Sequence, residues 1–208
     1  MNKDTRIKQL TSREIQAGER RQQILDVAKK LFAEGGYHGT SMRAINKEVG
    51  MAEALTYHYF PGGKLEILRT IIQEGQEKRM RDINEFSRLF QDEMSLREAL
   101  LLLSHKMTDL FIKDKELIQI VIKDKNLLDK EEWISLMHST HQPTDFMVSF
   151  LSKHAEQWQL RKMDFQLALS QFISTIILMT IFGVDFMRDS YDQYIEKAVD
   201  FTVELWSK

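Results

Sequence analysis

The sequence predicts an all-α chain of about nine helices, and three observations carry that expectation. Among 208 residues there are two prolines and nine glycines, too few for the turns of a many-stranded sheet. Apolar residues recur at helical spacing in segment after segment. Near the N-terminus two short segments of this kind meet at a single glycine, Gly50. Hydrophobic residues make up 43% and charged residues 29%, a globular balance on a chain long enough to bury a sizeable core.

Residues 1–18 are polar and carry Lys3, Arg6, Lys8 and Arg13. They read either as a solvated tail or as a basic arm that touches DNA phosphate or a minor groove. No apolar run follows the first charges, so no signal peptide is expected. Cysteine is absent, which excludes disulfides and thiolate metal sites and fits a reducing, cytoplasmic setting. Residues 19–35 form the first helix, with Ile24, Leu25, Ala28, Leu31 and Phe32 on one stripe and Gly35-Gly36 ending it.

Thr40 to Phe60, TSMRAINKEVGMAEALTYHYF, reads as two helices joined by a tight turn. Thr40 or Ser41 offers a capping hydroxyl to Met42–Val49. Gly50 can take the positive φ of a sharp break. A second helix runs from about Ala52 to Tyr59 and stops at Pro61-Gly62-Gly63. That pattern matches a DNA-binding helix-turn-helix at about 41–60, although spacing alone also fits an ordinary αα-corner. The second helix is densely polar, with Glu53, Thr56, Tyr57, His58 and Tyr59. With the first helix it should enclose Leu25, Ala28, Phe32, Ile45, Val49 and Phe60. Residues 1–64 hold eleven Lys and Arg against seven Asp and Glu, whereas 65–208 hold eighteen against twenty-four. A basic head on an acidic body suits a phosphate-binding module joined to a domain that does not bind nucleic acid.

The run ILDVAKKLFAEGGYHGTSMRAINKEVGM, followed by TYHYFPGGKLEIL, resembles the TetR family of bacterial transcriptional regulators. The likeness covers roughly residues 20–70. Two positions depart from the family's pattern. Ala52 stands where a capping serine is common, a loss of about 1 kcal/mol. Thr56 stands where an aliphatic side chain packs inward. The resemblance implies a helix-turn-helix domain over 18–78 and a ligand-binding and dimerisation domain over 79–208. It also implies that Glu53, Ala54, Leu55, Tyr57 and His58 face the major groove of an operator. Phosphate would then be held by Thr40, Ser41, Arg43, Tyr57, Tyr59 and Lys64. Packing against the first helix is the other reading of Tyr57 and Tyr59.

Helix four should run from Lys64 towards Phe90, with Gly75 marking a bend. In the family this helix joins head to body and its tilt carries the ligand signal. The body reads as helices over Leu96–Lys113, Lys115–Leu127, Glu131–Gln142 and Thr144–Trp158, with Pro143 breaking or kinking the chain. Phe165–Val184 has no charge over twenty positions, long enough to span a membrane. Gln166, Ser170, Gln171, Ser174, Thr175 and Thr180 argue against lipid. A helix buried between its own body and a second subunit is expected instead. The resemblance places a homodimer interface on helices at about 164–187 and 190–206.

Met107, Phe111, Trp133, Met137, Phe146, Met147, Phe150 and Met179 are the candidate lining of an effector pocket for an apolar or aromatic small molecule. Each is also ordinary core filler. His138 and His141 share a helix face, with His105 and His154 elsewhere, but surface or structural histidines are the simpler reading and no metal is expected. No cofactor is expected. No phosphate loop, nucleophile elbow or HExxH motif supports an enzyme. The expectation is therefore a dimeric DNA-binding regulator, a repressor released from a palindromic operator by a small-molecule inducer. The alternative is a DNA-binding adaptor or division factor of the same fold with no ligand.

Overall fold

The computed structural model describes residues 12–124, 127–182 and 191–208, without the side chains of 132, 133, 135–143, 181 and 182. Among the described residues there are nine helices: α1 Ser12–Gly39, α2 Met42–Val49, α3 Glu53–Tyr59, α4 Gly63–Ser87, α5 Leu96–Lys113, α6 Lys115–Lys123, α7 Lys130–His154, α8 Phe165–Phe182 and α9 Tyr191–Trp206. The sole extended pairing described is an isolated bridge between Leu160 and Ser207. The chain divides into two compact units, Met1–Gln73 with Gln119–Asp124, and Glu74–Ile118 with Lys125–Lys208.

In the first unit, Leu25, Ala28, Phe32, Ile45, Val49 and Phe60 are all buried, joined by Ile24, Ile67 and Leu68. Full burial of the larger of these side chains contributes roughly 1.5–3 kcal/mol each. Helix α1 begins at Ser12, earlier than the polar composition of residues 12–18 suggests. Those residues are exposed, so burial does not hold them. Extension from an already nucleated helix adds a hydrogen bond per residue at no new nucleation cost, and Glu14 in the first turn complements the helix dipole. At its other end the first helical run breaks at Gly36, as the Gly35-Gly36 pair leads one to expect: its φ of 75° and ψ of 163° are not helical, and only a short further piece runs on to Gly39.

The second unit packs α5 against α8 and α9, and α7 against α8. Its core runs through Leu96, Leu100, Leu103, Met147, Leu151, Leu169, Ile176, Ile195 and Val199. Ser95 starts α5 with a reciprocal capping box, its hydroxyl accepting from the Glu98 N–H and its own N–H donating to the Glu98 carboxylate. One expectation is corrected here. Pro143 lies within the single helix α7. It removes one main-chain bond, and the buried residues Thr144, Met147, Phe150 and Leu151 anchor the turns that follow it. Gly75 lies inside the continuous helix α4. It is there because the Leu117 side chain occupies the space a β-carbon would need.

Helix α8 is described only to Phe182, and 183–190 lie outside the described residues, so the expected limits 164–187 are narrowed at one end alone. Among the described residues no helix is long and apolar enough to cross a membrane.

Candidate nucleic-acid interface and effector cavity

Ser41 starts α2 with its hydroxyl accepting from the Ala44 N–H at 3.1 Å. Gly50, at φ 72°, breaks the chain, and the Met51 N–H returns to the Asn46 carbonyl at 3.0 Å. The chain then enters α3 at Ala52, which makes no side-chain cap. Because α3 is seven residues long, few side chains can hold it down. Thr56 does so: it is fully buried and its hydroxyl donates to Asn46 Oδ1 at 2.6 Å. Phe60, also fully buried, closes the C-terminal end beneath the Arg21 guanidinium, 5.0 Å from its ring centre.

With Thr56 and Phe60 turned in, helical geometry turns Glu53, Ala54, Leu55, Tyr57 and His58 out, and all five are exposed. Leu55 and Tyr57 are 44% and 41% exposed, large apolar surface to leave in water on so short a helix. Tyr59 is half-buried, its ring edge-on to His58 at 5.5 Å. Ser41 and Arg43 are exposed on the first turn of α2.

Two side chains expected on phosphate are engaged elsewhere. Thr40 is buried, and its hydroxyl is within hydrogen-bond reach of the Gly36 carbonyl at 2.9 Å and the Leu31 carbonyl at 3.1 Å. Lys64 donates to the Tyr37 and Thr40 carbonyls at 2.8 Å each, its ammonium 4.1 Å from the Tyr37 ring centre. The carbonyls exposed by the α1 kink need donors, and Lys64 supplies them. The Tyr37 N–H in turn donates to Asp124 at 2.7 Å. Burial pushes the Tyr37 phenol up, Arg69 partly opposes this, and Asp124 adds to it. Lys123 donates to the Ala33 and Glu34 carbonyls at the end of α1. Sequence reasoning missed Tyr37, Lys123 and Asp124, since nothing local marks a contact spanning 87 positions.

In the second unit a cavity of about 230 Å³ is lined by Arg79, Ile83, Met107, Leu110, Phe111, Asp114, Ile118, Thr144, Ile173 and Ile177. Of the candidate lining residues, Met107 and Phe111 are on its wall. Phe146 and Phe150 instead join Phe90 in an aromatic cluster with centroid separations of 5.3 and 5.5 Å. Met147 is fully buried in the core and Met179 is buried, neither on the cavity wall. Trp133 and Met137 have side chains outside the described residues, as do His138 and His141. Arg79, Asp114 and Thr144 were missed: in sequence the first two sit in charged runs that look solvated. His154 is buried, with Nδ1 2.9 Å from the Phe150 carbonyl and its ring stacked on Trp158. Among the described residues no three acidic, His or Cys side chains are grouped to hold a metal.

Residues 24–71 match a family model described as "Bacterial regulatory proteins, tetR family". The HTH-type transcriptional regulator LmrA of Bacillus subtilis (strain 168) is 38% identical over 60 residues, 29% of this chain and 32% of that one. The HTH-type transcriptional regulator UidR of Escherichia coli (strain K12) is 34% identical over 65 residues, 31% of this chain and 33% of its own. The chain thus matches about a third of the length of these curated relatives. Among solved structures, the TetR family transcriptional regulator PfmR from Thermus thermophilus superposes with a TM-score of 0.68 at 22% identity, covering 87% of this chain and 97% of that one. At that identity the likeness is one of fold.

Proposed function

Through residues 24–71 this chain belongs to the tetR family of bacterial regulatory proteins, and from that premise we propose that it is a DNA-binding transcriptional regulator. It binds a palindromic operator as a homodimer, represses, and leaves when a small molecule fills the cavity of the second unit. What carries the reading is the division of α3: Thr56 and Phe60 are buried while Glu53, Ala54, Leu55, Tyr57 and His58 stand exposed.

Seated in a major groove, such a helix has chemistry for base edges. Glu53 accepts from a cytosine amine, and Ala54 and Leu55 meet thymine methyls. Ser41, Arg43, Tyr57 and Tyr59 supply phosphate contacts that fix register. Thr40 and Lys64 support this indirectly, by fixing the turn from which α2 departs.

Dimerisation is supported by the outer faces of α8 and α9. On α8, Leu167 and Leu178 are exposed at either end of the uncharged row Ser170, Gln171, Ser174 and Thr175. On α9, Phe201 and Leu205 are 67% and 52% exposed, beside half-buried Tyr194 and Ala198. Apolar residues in such a row mark a surface that another chain covers. A two-fold dimer requires two half-sites about 34–36 Å apart. The ligand-responsive half of the reading is supported by the cavity and by a fold neighbour, AibR, solved with isovaleryl coenzyme A and operator DNA (21% identity, TM-score 0.67, 90% of this chain and 97% of that one).

The test is fluorescence anisotropy with DNA from upstream of the protein's own gene, over a salt series. Affinity should fall steeply with salt, by about 0.9 log units per tenfold salt for each phosphate neutralised. Substituting Glu53→Ala with Tyr57→Phe should weaken it at fixed salt. A footprint unchanged by that pair removes the assignment of α3 to the groove.

A further inference from the structure

Among the described residues the cavity has an apolar wall and one polar corner, and the corner restricts what can occupy it. Ile83, Leu110, Ile118, Ile173 and Ile177 offer no hydrogen bonds. At the corner, Arg79 Nε donates to Asp114 Oδ2 at 3.0 Å, with the two side chains 15% and 8% exposed. Thr144, buried on the same wall, adds a hydroxyl. We infer that the occupant is a small uncharged molecule, mostly apolar, with one hydrogen-bond-accepting oxygen such as that of a ketone, ester, lactone or amide. The inference rests on the ligand-responsive reading above.

Charge excludes two classes. Arg79 and Asp114 already neutralise one another in a poorly solvated place. A carboxylate arriving beside Arg79 brings a second negative charge close to Asp114, and a buried site holds that excess only at a large penalty. An ammonium faces the same difficulty against Arg79, or must displace it. Hydrogen-bond capacity disfavours a third class. A guanidinium has five N–H donors, and among the described residues Arg79 donates only through Nε. A pure hydrocarbon would strip water from the terminal nitrogens and leave them unpaired. A neutral acceptor satisfies them without adding charge.

Size sets the remaining limit. A dry cavity of about 150 Å³ holds a benzene ring, so about 230 Å³ holds one ring with a short substituent. Ile173 and Ile177, one helical turn apart on α8, face that ring from one side.

The experiment is calorimetry and thermal shift on the full chain with four probes of matched size: acetophenone, ethylbenzene, benzoate and benzylamine. Acetophenone should bind about tenfold more tightly than any of the others, a ratio in the range a single satisfied polar group gives. In the double variant Arg79→Met/Asp114→Leu, ethylbenzene should still bind and the preference for acetophenone should vanish. The milder pair Arg79→Gln/Asp114→Asn keeps side-chain size should the first fail to fold. In it the discrimination against benzoate and benzylamine should relax. Benzoate or benzylamine binding best, or a preference for acetophenone that survives both double variants, overturns the inference. Failure of all four probes to bind overturns it too, and salt-dependent promoter binding by the same sample would then leave the DNA reading standing.

Discussion

Thr56 and Asn46 form a buried polar pair across the two helices of the turn motif, hydroxyl to amide oxygen at 2.6 Å, with the Asn46 Nδ2 left without a partner among the described residues. A buried pair of this kind is held by mutual satisfaction, and removing one member strands the other at about 1–3 kcal/mol. Thr56→Val should therefore destabilise the protein by roughly that amount. Replacing both, Asn46→Leu with Thr56→Val, removes the stranded amide as well and should recover most of the loss. Urea denaturation of the two single variants and the double closes the cycle. Additive losses would mean that the two side chains act independently.

The first unit was legible where one residue decides a local event. Ser41 caps α2 and Gly50 breaks it because a hydroxyl and a missing β-carbon do those things in any chain. Thr56 was legible only as a departure from an aliphatic pattern, because its partner Asn46 lies ten residues away on a different helix. The same limit hid the corner of the cavity. Arg79 and Asp114 are 35 positions apart, each among charged neighbours, and only the fold makes them a pair. Pro143 misled for the opposite reason: its local effect is real, but the surrounding packing outweighs it.

Lys64 and Arg43 separate support from contact. Lys64 commits its ammonium to the Tyr37 and Thr40 carbonyls, so Lys64→Met should lower stability by about 1.5–3 kcal/mol, the worth of hydrogen bonds to a charged group. Arg43 is exposed, and Arg43→Ala should leave stability within about 0.5 kcal/mol. On DNA the order reverses in kind. Arg43→Ala should reduce the salt slope by about 0.9 per protomer, whereas Lys64→Met should weaken binding by loosening the turn from which α2 departs, with the salt slope unchanged. Thermal melts and salt-series anisotropy on both variants distinguish the two. An unchanged melting temperature in Lys64→Met would show that its two carbonyl bonds carry no weight.

Gly75→Ala tests whether helix propensity or close packing governs the middle of α4. Alanine should gain about 1 kcal/mol of propensity in a helix interior. Its β-carbon would collide with the Leu117 side chain, which is 1% exposed and has little room to move. Overpacking of that kind costs about 1–3 kcal/mol, so the net change should be destabilising. Gly75→Ala combined with Leu117→Ala should show a smaller penalty than the sum of its parts. A melting temperature that rises in the single variant would mean that Leu117 yields freely and that propensity wins.

Phe201→Glu should separate protomer folding from assembly. The ring is 67% exposed in the single chain, so its loss should leave helicity and the second-unit core intact. In a dimer built on α8 and α9 the same change buries a carboxylate against its symmetry mate, two like charges at one interface. Sedimentation velocity at micromolar concentration should then show monomer for the variant and dimer for the wild type. Operator affinity should fall with it, because one half-site contact no longer assists the other. A variant that sediments as the wild type does would move the interface away from this face, and the apolar row of Tyr194, Ala198, Phe201 and Leu205 would need a different occupant.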